Sequence, residues 1–224
     1  MDRRQIVTDN LVFDIVFTDS SDGDFQMDSD PQQLSRNRSK ITPMPWTWVR
    51  QIHGPRVISV SKPTGFAGDA DGLLTQALNC PISVTAADCS PVVLVGSNAL
   101  VVLHSGWKGL EAGIIAEGAR QMLSLGSVPI ATVLGPHISV DSYEFGDVDI
   151  KRLAKKFGSE VIGKTKDNKL GLDMFAGVSN ACEQAGWPAP ERAACTSSTE
   201  WFSHRIRKDP ERQVAVAWIS KRQS

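Results

Sequence analysis

A cysteine precedes the first strand of a predicted β-hairpin, and a histidine follows the apolar run of the second strand. Residues 91–95 and 99–103 are apolar runs, and the Gly-Ser-Asn between them is a turn signal. With all three turn residues in the loop, Ser90 lies opposite His104 and Cys89 is one step away. A two-residue loop moves this pairing by one position. Either register places Cys89 beside His104 at the open end of the hairpin.

A thiolate beside an imidazole has three interpretations, and the hairpin alone leaves all of them open. Cys89 and His104 are a nucleophile with its base, two metal ligands, or a buried cysteine next to a structural histidine. The segment after His104 predicts a phosphate site. A helix is expected over residues 110–125, and its N-terminus at Gly109 offers free N–H groups to an anion, with Lys108 adding a full charge.

Further polar residues follow predicted strands or loops. Asp71 precedes an apolar strand, where it is either a turn residue or a functional acid. His137 follows the strand predicted over 130–134, after a Gly-Pro break. Arg205 lies in a polar cluster, WFSHR, near the end of the sequence. We take these three residues as candidates for contacts with a ligand.

Composition excludes several classes of protein. The 224 residues have a formal net charge of −1, which argues against nucleic-acid binding by bulk electrostatics. None of the four cysteines has Cys-x-x-Cys spacing, which argues against a zinc ribbon or a thioredoxin motif. The N-terminal segment lacks the apolar core of a signal peptide, and no apolar run is long enough to cross a membrane. We expect a cytoplasmic protein with reduced thiols and no membrane association, and no protein partner is indicated.

Strands and helices interleave along the chain, which predicts an α+β or mixed α/β fold. Strands are expected near both ends of the sequence, over residues 6–18 and 214–219. Residues 62–68 are predicted to form a Pro/Gly loop. Two later helices are expected over 147–157, with Asp147 as N-cap, and over 172–185. No internal repeat or linker divides the chain.

A set of short motifs identifies a family. The motifs QIHG, DADGLLT, TAADCSP, LHSGWKGLEAG, LGPHI, YEFG and WFSHR occur in this order. Together they resemble the bacterial laccase-domain family, formerly described as multicopper polyphenol oxidases. Its members are regarded as purine nucleoside phosphorylases that act on adenosine, inosine and methylthioadenosine, with adenosine deaminase activity besides. The resemblance covers residues 53–219. It implies a layered α+β fold, with mixed β-sheets flanked by helices in one domain over residues 1–224.

The resemblance also implies a cofactor and its ligands. In this family two histidines and one cysteine bind zinc, and the matching residues are His53, Cys89 and His104, which are therefore the expected catalytic centre. Three N/S ligands with an open fourth position are typical of catalytic zinc. The implied partners are a purine nucleoside and phosphate, and Lys108 and Arg205 are our candidates for phosphate.

Roles at the nucleoside are assigned on the same basis. Asp71 and His137 are expected to form hydrogen bonds to the ribose or the base. Deamination would instead need an acid that shuttles a proton, for which Asp71 and Glu144 are candidates.

Three alternatives stay open. A copper-dependent polyphenol oxidase is disfavoured because four histidines are too few for a blue centre and a trinuclear cluster. A cysteine hydrolase would use Cys89 as nucleophile and His104 as base. A degenerate member that binds nucleoside without turnover is the third, since residues 17–23 lack the arginine of the family's Thr-Arg-x-Gly-Gly segment.

Overall fold

A computed structural model describes residues 1–223 and contains two large mixed sheets. Neighbouring strands of the six-stranded sheet are antiparallel except β7/β3 and β3/β5, which are parallel. In spatial order its strands are β1 (Asp2–Val7), β2 (Leu11–Phe17), β13 (Gln213–Lys221), β7 (Ile82–Ala86), β3 (Thr47–Arg50) and β5 (Gly65–Asp69). The C-terminal strand β13 therefore pairs with β2, the second strand of the N-terminal hairpin.

The second large sheet has five strands and contains the predicted hairpin. Only its outer pair β4/β6 is parallel. In spatial order the strands are β10 (Pro129–Leu134), β8 (Ser90–Gly96), β9 (Leu100–Ser105), β6 (Gly72–Thr75) and β4 (Val57–Val60). A small antiparallel ribbon is formed by β11 (Ile162–Lys164) and β12 (Leu170–Leu172).

Helices cover the outer faces of both sheets. They are α1 (Pro31–Ile41), α2 (Trp107–Ala112), α3 (Ile114–Ser124), α4 (Asp147–Phe157), α5 (Met174–Gln184) and the single turn α6 (His204–Arg207). Among residues 1–223, no helix is long and apolar enough to span a bilayer. The expected α+β fold, with mixed sheets flanked by helices, is confirmed.

The hairpin strands are buried on both faces, which explains why β8 and β9 read as continuous apolar runs. Val93 and Val95 point into the core between the two sheets, while Val92 and Leu94 point into the core beneath α3, α4 and α5. A third cluster packs α1 against the outer face of the six-stranded sheet through Leu34. The hairpin is thus the central element of a layered structure, and both of its strands are buried along their whole length.

Three local predictions were wrong. Residues 62–68 are not all loop, because Gly65–Asp69 form the edge strand β5 beside β3. The helix expected over 110–125 begins earlier and is two helices, α2 and α3, since Gly113 adopts a left-handed conformation (φ 96°) between them. The N-cap of α4 is Gly146, and Asp147 is the first helical residue.

Candidate metal centre

The hairpin brings a thiol and an imidazole together as its register requires. The loop is the two residues 97–98, closed by the Gly96 N–H donating to the Ala99 carbonyl at 3.0 Å. Pro91 therefore pairs with His104, one position from the three-residue-loop register. Cys89 precedes β8 directly, so it remains beside His104 at the open end.

A third donor arrives from a different sheet. His53 lies just after β3, and its Nδ1 or Nε2 atom lies within 4.8 Å of the corresponding donor atoms of Cys89 and His104. The imidazole rings of His53 and His104 meet edge to face, with centroids 4.9 Å apart. His104 is buried, Cys89 is half-buried and His53 is exposed. The three residues implied by the family resemblance therefore form one cluster, open on the His53 side.

Asp71 holds the loop that presents His53. Its carboxylate accepts hydrogen bonds from the backbone N–H groups of Ile52 (3.1 Å), His53 (2.9 Å) and Gly54 (2.8 Å). His53 has a left-handed φ of 58°, which is uncommon for a non-glycine residue. We infer that these three bonds stabilise the turn that aims the His53 ring at Cys89.

The same carboxylate orients the second histidine. Because β6 pairs with β9 with Gly72 opposite Leu103, Asp71 lies opposite His104. The His104 backbone N–H donates to the Asp71 carbonyl at 2.7 Å, and its ring Nδ1 is 2.9 Å from Asp71 Oδ1. This contact selects the tautomer with the proton on Nδ1 and leaves Nε2 free to bind a metal.

Asp71 is therefore a positioning residue. Its side chain is fully buried behind the cluster, and both carboxylate oxygens already accept hydrogen bonds from the chain. The expected contact of Asp71 with ribose or base, and its expected role as a proton shuttle, do not fit this placement.

The cluster has unusual protonation behaviour. Burial disfavours the charged forms of the Cys89 thiol and the His104 imidazole. The attraction between the thiolate and the charged imidazole outweighs this effect of burial on both pKa values. The Asp71 carboxylate and the Cys89 thiolate raise the pKa of His104, while His104 and His53 lower the pKa of Cys89 to about 6. Cys89 is thus a thiolate near neutral pH even without a metal, which is the form that binds metals.

The donor set fits a metal ion. One thiolate and two imidazoles suit zinc or copper, and the Asp71–His104 contact is the partner that metal-bound histidines usually have. Gly106 also leaves room for the cluster, because a Cβ at this position would lie 2.9 Å from Cys89 Sγ and 3.2 Å from His53 Cδ2.

We expect Gly106→Ala to lower metal affinity roughly tenfold or more, because the added methyl group displaces two ligands. The φ of Gly106 is −73°, so alanine brings no backbone strain there. Gly146→Ala is the matched control, since Gly146 is also an N-cap, has φ −78° and has no neighbour within 4 Å of a Cβ. Competition with a chromophoric chelator measures the effect. Equal affinities for the two variants would contradict it.

Two predicted cations line a cavity next to the cluster. A cavity of about 400 Å³ is lined by His53 and Cys89 together with Lys108 and Arg205. Trp107 and Tyr143 also line it. The Arg205 guanidinium lies over the Tyr143 ring, 4.9 Å from its centroid. Lys108 and Arg205, the two cations proposed from the sequence, thus line the same cavity as His53 and Cys89.

A second cavity of about 450 Å³ touches the cluster from another side. It is lined by His53, Cys89 and His104, with polar groups that include Gln51 and Thr85. His204 lines both cavities, although the sequence suggested no role for it. Its position next to Arg205 in the motif WFSHR was the sequence feature that could have indicated a role for His204.

Asp88 ties Arg205 to the cluster, and the sequence did not reveal this role. Its carboxylate accepts hydrogen bonds from the hydroxyls of Thr196 (2.6 Å) and Ser203 (2.7 Å) and from the Arg205 backbone N–H (2.6 Å). Asp88 also has a left-handed φ of 93°. It thereby fixes the C-terminal segment next to Cys89. Only its position before the cysteine marked it in the sequence.

Two expected residues lie outside the site. His137 lines neither cavity at the cluster; its buried ring points Nδ1 at the Gly135 carbonyl at 3.0 Å, and burial lowers its pKa. Glu144 is exposed and pairs with Lys169 at 2.8 Å. The structure therefore does not bring His137 or Glu144 to the metal centre.

A comparison with sequence profiles of protein families shows the family of this chain. The sequence profile described as multi-copper polyphenol oxidoreductase laccase matches residues 15–220. The chain belongs to this family. The resemblance inferred from the ordered motifs is thereby confirmed, and the matched range contains all three donors of the cluster.

Two named relatives align with this chain over most of its length. A Mycobacterium tuberculosis protein named purine nucleoside phosphorylase is 28% identical over 206 residues, which are 85% of this chain and 81% of the relative. A Corynebacterium glutamicum protein named purine nucleoside phosphorylase is 30% identical over 207 residues, covering 86% and 84%.

Two solved structures share the fold of this chain. The Bacillus licheniformis hypothetical protein YfiH has a TM-score of 0.81 at 21% identity, covering 96% of this chain and 98% of that one. YlmD from Geobacillus stearothermophilus has a TM-score of 0.76 at 20% identity, covering 95% and 92%. These likenesses establish the architecture and carry no statement about activity.

Proposed function

We propose that this protein is a zinc-dependent purine nucleoside phosphorylase. It would convert adenosine, inosine or methylthioadenosine and phosphate into the free base and the sugar 1-phosphate. The observation that carries the proposal is the cluster of His53, Cys89 and His104 at a cavity that Lys108 and Arg205 also line. The names of the relatives support the choice of reaction.

Zinc is the metal we propose, held by His53, Cys89 and His104 with Asp71 behind them. When bound, it would supply a Lewis acid next to the cavity. Copper is the weaker choice because the chain has only four histidines and His137 lies away from the cluster. A copper-dependent visible absorption band in the purified protein would favour the oxidase alternative.

Phosphorolysis requires an anion to be held against the ribose. A phosphate oxygen forms a bond to C1′ while the C1′–N9 bond breaks, and the bonding electrons leave with the purine, which then takes up a proton. Lys108 and Arg205 would bind the phosphate and balance its charge. The aromatic side chains of Trp107 and Tyr143 would offer apolar surface to the nucleoside.

We expect Arg205→Ala to raise the KM for phosphate roughly tenfold or more, with a smaller effect on the KM for nucleoside, because a charge-assisted contact to phosphate is lost. Lys155→Ala, which removes an exposed cation on α4 outside the cavity, is the control. Steady-state kinetics with phosphate varied at saturating inosine measure the change. An unchanged KM for phosphate would remove Arg205 from the site.

The assay for the proposed function uses zinc-loaded protein with inosine and phosphate. We expect hypoxanthine and ribose 1-phosphate in equal amounts, and no product when phosphate is omitted. With adenosine, adenine marks phosphorolysis and inosine marks deamination. Absence of any base release from the zinc-loaded protein would contradict the proposal; nucleoside binding without product would then favour the degenerate alternative.

One observation favours a second candidate, a cysteine hydrolase. Asp71 bonds Nδ1 of His104, and His104 in turn lowers the pKa of Cys89, which is the arrangement of a nucleophile, base and orienting acid. His53 has no part in that mechanism, yet it lies in the cluster. A hydrolase would cleave an activated ester best without metal and would form a thioester on Cys89. A phosphorylase would instead have Cys89 protected from iodoacetamide by zinc.

A further inference from the structure

A large groove lies away from the metal cluster. A groove of about 800 Å³ runs between α1 and the outer face of the six-stranded sheet at its β5 edge. Trp46, Trp48 and Phe66 line it, and Trp48 on β3 pairs in register with Phe66 on β5. Phe66 is 51% exposed. The groove has the size of a small-molecule site and presents flat aromatic surface to solvent.

A cation lies inside this groove without a counter-charge. The Arg38 guanidinium is 3.8 Å from the centroid of the Trp48 ring and 5.7 Å from that of Trp46. Within residues 1–223 its side chain forms no hydrogen bond and no ion pair. The groove lining contains no aspartate or glutamate, and its other cation, Arg50, is paired with Asp69.

Stacking satisfies only one part of the Arg38 side chain. A guanidinium presents its faces to aromatic rings and its five N–H donors in the plane of the group. Cation–π contact with Trp48 uses a face and leaves the in-plane donors available. Burial lowers the pKa of Arg38 to about 10, so the group stays charged at neutral pH. A half-buried cation with free donors beside exposed aromatic surface is complementary to an anion attached to a flat ring.

We propose that this groove is a second ligand site, which binds a small aromatic anion. The ring of the ligand lies against Trp48 and Phe66, and its carboxylate, sulfonate or phosphate accepts hydrogen bonds from Arg38. The groove is separate from the proposed phosphorolysis centre: it shares no residue with the three metal donors or with the cavity of Lys108 and Arg205, although Met27 and Arg50 also line the second cavity at the cluster.

The test compares two dyes that differ in charge. Anilinonaphthalene sulfonate has an aromatic system with a sulfonate, and phenylnaphthylamine has the same rings without it. We expect one sulfonate dye to bind per chain. Arg38→Gln should weaken the sulfonate dye roughly tenfold and leave the neutral dye unchanged, since only the charge-assisted contact is lost. Fluorescence titration measures both, with circular dichroism as the check on folding.

Matched variants locate the site. Arg36→Gln, on the same helix but outside the groove lining, should change neither affinity. Phe66→Ser, at a position whose side chain is exposed, should weaken both dyes. Cys89→Ala should leave the sulfonate dye bound, which separates this site from the metal centre. The proposal is overturned if Arg38→Gln weakens the sulfonate dye no more than Arg36→Gln, or if Cys89→Ala abolishes its binding.

Discussion

The Cys89→Ala variant is expected to lose bound zinc and to lower kcat/KM for phosphorolysis at least about 10³-fold, since several kcal/mol of transition-state stabilisation depend on the metal. The remaining donors, His53 and His104, form an incomplete site. The fold should persist, because Cys89 is half-buried in the loop before β8 and no core cluster includes it. Elemental analysis and steady-state kinetics measure the two losses, and circular dichroism tests the fold.

A second cysteine provides the control for Cys89→Ala. Cys195 is also half-buried and has a lowered pKa: burial acts to raise it, and hydrogen bonds from Ser139 and Ser197 outweigh that effect. Cys195 lies outside the cluster, so Cys195→Ser should keep zinc and activity. If Cys89→Ala retains one zinc per chain, the ligand assignment is wrong. If it loses zinc and keeps full activity, the metal has no part in the reaction.

Asp71→Asn is expected to have the second largest effect, because one carboxylate holds two of the three proposed zinc ligands. An amide offers one acceptor oxygen where Asp71 accepts four hydrogen bonds, and its NH₂ group would face N–H donors of the 52–54 loop. We expect zinc affinity to fall roughly 10- to 100-fold. We expect the free energy of unfolding to fall by about 2–4 kcal/mol, since buried donors lose their acceptor.

Asp69→Asn is the matched control, two residues away. Asp69 is exposed and pairs with Arg50 on the surface, so its replacement should leave zinc binding and the unfolding free energy unchanged within error. Chelator competition and urea unfolding of both variants give the comparison. Similar results for the two variants would show that Asp71 does not position the ligands.

The stability that Asp71 provides should depend on pH with a definite sign. Burial acts to raise its pKa, but the hydrogen bonds from His104 and the loop N–H groups lower it below the ordinary value. A depressed folded-state pKa means that the contribution is complete above the ordinary carboxyl pKa of about 4 and is lost as the pH falls through the lower folded value. The difference in stability between wild type and Asp71→Asn should therefore shrink below about pH 4.

The sequence could predict the part of the site that depends on strand pairing. Cys89 and His104 are joined by one hairpin, and two apolar runs with a turn signal between them define a hairpin to within one residue. The register at His104 was predicted only to within one position because the loop length was open, and the structure uses the two-residue loop. Both registers bring the same two side chains together, so the prediction of the pair did not depend on the loop.

The parts of the site that local sequence patterns could not predict depend on contacts between segments distant in sequence. His53 comes from the other large sheet, and only the family resemblance linked it to the hairpin. Asp71 lies opposite His104 through the β6/β9 register, which no local pattern reveals. Asp88 bonds Thr196 and Ser203, more than 100 residues away. The sequence shows Asp71 and Asp88, but it does not show which distant residues they contact.

The prediction of local structure was wrong at two places that contain glycine, because glycine occurs in loops, in strands and at helix breaks. Glycines suggested a loop over residues 62–68, yet Gly65–Asp69 pair with β3 as an edge strand. The apolar stripe over residues 110–125 predicted one helix, and Gly113 breaks it. In both places backbone pairing or a left-handed φ decided the structure, and side-chain periodicity does not report either.

The metal content of the protein as purified tests the central claim most directly. Elemental analysis should find one zinc per chain, with the Cys89 thiol protected from iodoacetamide until a chelator removes the metal. The metal-free thiol should then react with a midpoint near pH 6, because its pKa is lowered and the thiolate is the reactive form. A protein that contains neither bound zinc nor a zinc-protected Cys89, or that contains copper in its place, would contradict the account.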